Sequence, residues 1–208
     1  MRFAFVDEHR HQVPIDRLCR IMDVTSRGYR AWREANIVFG VILGTGVGGG
    51  IVINQDVLSG AQSIAGEWGH NLLPFAGRNE QKRPICYCGR RGCIETYLSG
   101  PALAADHARM TGLNLIPADI AQLAENGDPT ARALGIVVNI LDPDVIVLGG
   151  GLSNIDAIYE EVPQRLAEFA FSDSCVTRIT KNAHGDSSGV RGAAWLWEQR
   201  CQNENRPN

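Results

Sequence analysis

The densest chemistry in the sequence lies in Cys86-Tyr-Cys-Gly-Arg-Arg-Gly-Cys93, where three thiols fall within eight residues. Thiolates are soft ligands suited to zinc, and turns at Gly89 and Gly92 let three sulfurs face one point. A closed tetrahedral site needs a fourth ligand, and the nearest candidate is His70 of Glu67-Trp-Gly-His70. Three thiolates and an imidazole leave no open position, so a zinc ion held by His70, Cys86, Cys88 and Cys93 would be structural. The competing reading is three reduced core thiols beside a solvent-facing histidine. Cys19, Cys175 and Cys201 are scattered and read as small apolar side chains.

Two carboxylates flank the cluster: Glu67 three residues before His70, and Glu95 two after Cys93. A metal that pins both segments also sets these acids side by side. Paired carboxylates suit a hydroxyl-rich ligand, because each oxygen accepts hydrogen bonds from O–H groups. A second candidate is Gly44-Thr-Gly-Val-Gly-Gly-Gly50, a glycine-rich turn between the apolar strands Ile37–Leu43 and Ile51–Ile53. Glycine lets successive N–H groups converge on an anion, and Thr45 adds a hydroxyl donor. It is neither a P-loop nor a dinucleotide fingerprint, since no Lys-Ser/Thr and no helix follow directly. A third is Gly149-Gly-Gly151, where the strand Val145–Leu148 runs through glycines into a helix from about Ser153 to Phe169, an α/β unit with a ligand-compatible switch point.

The elements that must carry these residues follow from pattern. Helices are expected at Asp119–Leu123, Pro129–Leu134 and about Val190–Gln199, and a further strand at Val176–Ile179. Residues 202–208 read as a frayed polar tail. Glycine, 23 of 208 residues, is the compositional outlier, marking places where backbone approaches something closely. Hydrophobic residues at 44% and charged residues at 21% exclude a disordered or fibrous chain. No run of about 18 apolar residues offers a membrane span. The first residues, interrupted by Asp7 and Glu8, do not form a signal peptide, so a cytoplasmic location with reduced thiols is expected.

Residues 1–33 stand apart. Seven arginines against four acids give them a net charge of +3, and the remainder carries −6 to reach the total of −3. Pro14 suits a first helical turn, and Ile15, Leu18, Cys19 and Met22 recur at helical spacing. Asp23-Val-Thr-Ser26 offers a turn and N-cap for a second helix, Arg27–Arg33, making a helix-turn-helix pattern. The overall negative charge does not favour nucleic acid as a partner. The stretch from His9 to Trp32 resembles the N-terminal part of insertion-element transposases, and no acidic DNA-cutting triad follows it.

Residues 36–200 resemble the ROK family (repressor, open reading frame, kinase). Gly44–Gly50 is similar to the family's second phosphate loop, and Glu67–His70 with Cys86–Glu95 to its zinc and sugar signatures. Leu141–Gly151 is similar to the strand near the adenosine, and His184–Trp195 to the bacterial fructokinases and mannokinases of the family. The resemblance implies an α/β fold, an actin-like ATPase (ribonuclease H-like) lobe with a structural zinc loop at about 67–95, preceded by a short helical segment. On this basis the domains are 1–35, a helical transposase-like fragment; 36–201, a kinase C-terminal lobe; and 202–208, the tail.

The implied function is ATP- and Mg²⁺-dependent phosphorylation of a hexose, fructose or mannose. Glu67, His70 and Glu95 would hold sugar hydroxyls. Gly44, Thr45, Gly46, Val47, Gly48, Gly49, Gly50 and Ile51 would wrap the phosphates, with Gly149, Gly150 and Gly151 bordering the nucleotide. Two family elements have no counterpart: an Asp-x-Gly-Gly-Thr phosphate loop and an Asn-Asp-Ala-Asn-like segment carrying the catalytic base. The helix before Val138 also looks short by about a dozen residues, or three turns. No catalytic base is therefore assigned, and activity from this chain alone is expected to be weak, because a general base is worth roughly 10²–10⁴ in rate. The face of the absent lobe is expected to be apolar and to drive self-association. Two other readings are a ROK-type DNA-binding regulator and a zinc-stabilised scaffold without a ligand.

Overall fold

A computed structural model describes residues 2–26, 29, 36–74, 84–115, 127–183 and 185. It divides into two compact units, 1–36 and 37–208.

In the first unit, helix α1 spans Arg2–His9 and α2 spans Ile15–Ile21, with Pro14 one residue before α2 begins. The chain turns at Asp23, whose φ of 53° is left-handed. Val6, Leu18, Cys19 and Tyr29 form its buried core. The Tyr29 hydroxyl donates to Asp7 at 2.6 Å, and Asp7 also pairs with Arg10. The expected helix at Arg27–Arg33 lies, apart from Tyr29, outside the described residues. So do the expected helices at Asp119–Leu123 and Val190–Gln199, most of the His184–Trp195 motif, and the 202–208 tail.

The second unit is built on a five-stranded sheet in the order β3-β2-β1-β4-β5. Strand β1, Ile37–Leu43, alternates buried Phe39, Val41 and Leu43 with half-buried neighbours. It pairs antiparallel with β2, Val47–Ile53, which turns through Asn54 and Gln55, both at positive φ, into β3, Asp56–Val57. That two-residue turn matches the twist of an antiparallel hairpin. On its other side β1 runs parallel to β4, Val145–Gly149, and β4 runs parallel to β5, Arg178–Lys181. Parallel neighbours put the ends of β1 and β4 on the same edge, the edge where α/β sheets bind ligands.

Helices cover the sheet. Short α3 is Glu95–Leu98, and α4 is Gly100–Thr111, capped by the Ser99 hydroxyl, which accepts the Ala102 N–H at 3.2 Å. Helix α5, Gly127–Leu141, extends through both apolar stretches on either side of Gly135, and so runs well beyond the expected Pro129–Leu134. Its Ala131, Ala133, Leu134, Val137 and Val138 are buried. A 3₁₀ turn at Gly151–Asn154 precedes α6, Asp156–Phe169, which buries Ile158, Val162 and Leu166 at helical spacing. The expected helix start at Ser153 is thus this tighter turn, held by the buried Ser153 hydroxyl donating to Gly150 O at 2.7 Å. Helices α5 and α6 meet closely at Gly135, where a Cβ would come within 2.6 Å of Phe169 Cβ.

Strand β5 starts two residues after the expected Val176. Its register follows β4, with the Arg178 N–H donating to Asp144 O at 3.1 Å, while Val176 is left 84% exposed. Among the described residues, no helix is long and apolar enough to cross a membrane.

Candidate functional site

The glycine-rich segment folds differently from a long turn. Only Gly44-Thr45-Gly46 connects the strands, and β2 begins at Val47, so Gly48, Gly49, Gly50 and Ile51 belong to the ladder. The missing side chains make room for the segment that crosses them. A Cβ on Gly49 would lie 2.8 Å from Gly66 O, one on Gly66 2.7 Å from Gly50 Cα, and one on Gly69 2.0 Å from Val47 O. Trp68, buried between these glycines, donates its indole N–H to Gly48 O at 2.9 Å and meets Phe39 edge-on at 5.7 Å. Pinned in this way, Glu67 and His70 on either side of Trp68 are set over the start of β2.

Glu95 reaches the same place from the opposite direction. Its backbone N–H donates to Gly69 O at 2.9 Å, and its Oε2 accepts the Val47 N–H at 2.9 Å. A Cβ on Gly46 would come within 2.6 Å of that carboxylate oxygen, and one on Gly48 within 3.9 Å of Glu67 Oε2. The structure therefore brings Glu67, Glu95 and the turn to one end of the sheet. Two backbone donors at this turn are already engaged, since Gly44 N–H bonds to Gly46 O at 2.9 Å and Val47 N–H to Glu95.

Gly149, Gly150 and Gly151 lie at the neighbouring strand end. Gly149 pairs in register with Ile42, and Gly150, at φ 83°, packs its Cα on the β1 terminus so closely that a Cβ would meet Leu43 O at 2.5 Å. Gly44 O in turn accepts the Gly100 N–H at the start of α4, 2.8 Å away. The two glycine segments that sequence separates by a hundred residues are thus adjacent at the carboxyl ends of β1 and β4.

His70, Cys86, Cys88 and Cys93 converge, with all four ligand atoms within 4.8 Å of one another. Cys86 Sγ is 3.5 Å from His70 Nδ1, and Cys88 Sγ is 3.6 Å from Cys93 Sγ. Zn–N near 2.0–2.1 Å and Zn–S near 2.3 Å imply tetrahedron edges of about 3.6 Å (N···S) and about 3.8 Å (S···S), so the donor set fits this ion. Gly92 secures the loop twice, its N–H donating to Pro84 O and its carbonyl accepting from Leu73 N–H, both at 2.9 Å. Burial pushes the Cys93 thiol up to about 12, whereas the Arg90 backbone N–H, donating to Cys88, lowers the thiol of that exposed residue. A divalent cation would offset the burial cost at Cys93 by holding it as thiolate.

Tyr87, between two of the cysteines, has no role in the sequence reading. Its hydroxyl stands 2.9 Å from His70 Nε2, and its ring meets the imidazole edge-on at 5.0 Å and 82°. Local desolvation and the charges of Glu95, Cys86, Glu67 and Cys88 push its phenol up.

Comparison with known proteins gives this arrangement its relatives. N-acetyl-D-glucosamine kinase of Yersinia pseudotuberculosis serotype O:3 is 40% identical over 181 residues, 79% of this chain and 60% of that protein. N-acetyl-D-glucosamine kinase of Photobacterium profundum is 41% identical over 186 residues, 80% of this chain and 61% of that protein. The chain thus spans about 60% of the length of these curated relatives. In fold it is similar to a ROK family glucokinase from Streptomyces griseus solved with glucose and AMPPNP, at a TM-score of 0.64 and 22% identity, covering 87% of this chain and 70% of that one. A ROK hexokinase from Thermus thermophilus gives a TM-score of 0.64 at 21% identity, covering 90% and 71%. These likenesses identify the second unit as a ROK, actin-like ATPase fold with a mixed sheet. The ROK family model matches residues 25–200, beginning eleven residues before the boundary expected at 36, and with most of its length accounted for in this way the chain belongs to the ROK family.

Proposed function

We propose that this chain is the sugar- and nucleotide-binding part of a ROK hexose kinase. The observation that carries the reading is Glu95. Its carboxylate holds the first residue of β2, its backbone holds the Glu67–His70 segment, and it follows Cys93 by two residues. One residue thereby joins the phosphate turn, the acid pair and the thiol cluster.

In this reading Glu67, Glu95 and the outer nitrogen of His70 bind sugar hydroxyls, and the two acids orient the hydroxyl to be phosphorylated. The Gly44–Gly46 turn and Gly149–Gly151 border the nucleotide from adjacent strand ends. ATP supplies the phosphoryl group, and Mg²⁺ neutralises its charge. His70, Cys86, Cys88 and Cys93 hold a structural zinc that fixes the acids relative to the sheet. N-acetyl-D-glucosamine is the first sugar to test, because curated relatives at 38–42% identity carry that name. Fructose and mannose, suggested by the resemblance of His184–Trp195, follow. Residues 1–35 are the transposase-like segment of the sequence reading, and the family match begins within them, at residue 25.

The 208 residues contain no Asp-x-Gly-Gly-Thr loop and no Asn-Asp-Ala-Asn-like segment, so the chain binds sugar better than it turns it over. A cytoplasmic setting keeps its thiols available to metal. Exposed Ile140, Phe171 and Val176, at 81%, 99% and 84%, favour self-association, which light scattering measures. The test of function is calorimetry of the purified chain with N-acetyl-D-glucosamine, fructose and Mg·ATP, beside a coupled turnover assay. Sugar binding with turnover far below roughly 1–100 s⁻¹ is expected. Turnover within that range overturns the impaired reading, and absence of all sugar binding overturns the kinase reading.

A further inference from the structure

We propose that Ser153 and Asn182 are positioning residues for the nucleotide: they act through Gly150, fixing its carbonyl and with it the bare backbone of Gly149–Gly151. The inference deepens the reading given above, in which that segment borders the nucleotide, and rests on it. Gly150 stands at φ 83° and ψ 173°, a region of backbone space essentially reserved for glycine. Such a conformation persists where its surroundings over-determine it. Here the Gly150 carbonyl accepts both the Ser153 N–H at 3.0 Å and the Ser153 hydroxyl at 2.7 Å, one for each lone pair.

A hydroxyl that returns to a nearby backbone carbonyl is a common local motif. This one is fully buried and is also held from another strand. Having given its proton to Gly150, Ser153 Oγ accepts from Asn182 Nδ2–H at 3.3 Å. The other proton of that amide goes to Leu148 O at 3.1 Å, which also accepts the Asn182 backbone N–H at 2.9 Å. Asn182 follows Lys181, the last residue of β5, whose register partner on β4 is Leu148. The amide therefore joins the end of β5 both to β4 and to the 3₁₀ turn beyond it. From α6, the Tyr159 hydroxyl holds the Ser153 carbonyl at 2.7 Å. The peptide that links Gly150 to Gly151 is planar, so a fixed carbonyl also fixes the direction in which the chain enters exposed Gly151.

The experiment measures Mg·ATP and N-acetyl-D-glucosamine affinity by calorimetry on the full chain, on Ser153→Ala, Ser153→Cys and Asn182→Ala, and on the double alanine variant. Ser153→Cys keeps a similar shape and replaces a strong donor by a weak one. Each single variant is expected to bind Mg·ATP about tenfold more weakly, the worth of one net hydrogen bond, with sugar affinity unchanged. The double variant is expected to lose less than the product of the singles, because both residues act through one carbonyl. Mg·ATP affinity equal to the parent's in all the single variants overturns the proposal. So does an equal loss of sugar and nucleotide affinity, the mark of a general structural role. So does a Cys variant that matches the parent while Ala does not, since shape and not the hydroxyl would then hold the segment. Ser153→Cys and Asn182→Ala carry the decision where Ser153→Ala does not fold. A parent chain that binds no Mg·ATP overturns the assignment of Gly149–Gly151 to the nucleotide, and this inference with it. A parent that binds Mg·ATP while the variants are unchanged overturns the role of Ser153 and Asn182 alone.

Discussion

The Val47 N–H donates to Glu95 Oε2 at 2.9 Å, so a carboxylate proposed to bind sugar is also the clamp on the first residue after the Gly44–Gly46 turn. Replacing Glu95 tests both halves. Glu95→Gln keeps an oxygen for Val47 and removes the charge. It should fold normally and bind sugar about tenfold more weakly, the difference between a charged and a neutral hydrogen bond. Glu95→Ala leaves a partly buried N–H without its acceptor, at a cost of about 1–3 kcal/mol. Urea unfolding and Val47 amide exchange check this, and equal stability of the two variants would show that the bond does not hold the turn.

Two glycines separate close approach from backbone strain. Gly69→Ala would drive a Cβ to 2.0 Å from Val47 O, with only backbone to yield, and should cost at least about 3 kcal/mol. Gly89, at φ 86°, faces open space, and Gly89→Ala should cost only the left-handed penalty of about 1–2 kcal/mol. Thermal unfolding of both variants gives the ranking, and the reverse order would refute the account of close packing between Gly69 and the start of β2.

Metal removal should separate the thiol loop from the rest of the fold. An ion present at a thousand times its dissociation constant stabilises the native state by about 4 kcal/mol. A strong chelator should therefore lower the melting temperature of the parent chain. Cys88 is exposed, so Cys88→Ser removes a ligand with little loss of packing. That variant should melt near the chelated parent and no longer respond to chelator. An unchanged response would remove Cys88 from the ligand set.

Alkaline pH provides a probe at the other strand end. Burial pushes the Tyr159 phenol up to about 12, and its hydroxyl donates to Ser153 O at 2.7 Å. An unfolded tyrosine ionises near pH 10. The folded chain thus favours the neutral form, so this contribution is complete below pH 10 and is lost as pH rises through about 12. Tyr159→Phe should be less stable by about 1 kcal/mol at neutral pH, and its stability should fall less steeply between pH 10 and 12. Denaturation across that window measures both, and a slope equal to the parent's would assign the alkaline loss to other groups.

Much of this architecture is legible in residue order alone, where local pattern and tertiary demand agree. The alternation of Phe39, Val41 and Leu43 marks β1 to its last residue. Three closely spaced thiols point to a further donor elsewhere in the chain, and His70 lies among them. Pattern fails where the deciding partner is distant in sequence. Gly48–Gly50 look like turn residues, yet they are strand residues whose bareness admits Gly66, and no short window contains that pairing. The start of β5 is set by its register on β4, not by Val176. Tyr87 escapes a local reading because its partner, His70, is seventeen positions away.

Gly92 grips the chain on both sides of an interval, bonding to Leu73 before it and to Pro84 after it. One residue thereby ties the segment that follows His70 to the one that leads into the thiols, so a disturbance at either is passed directly to the other.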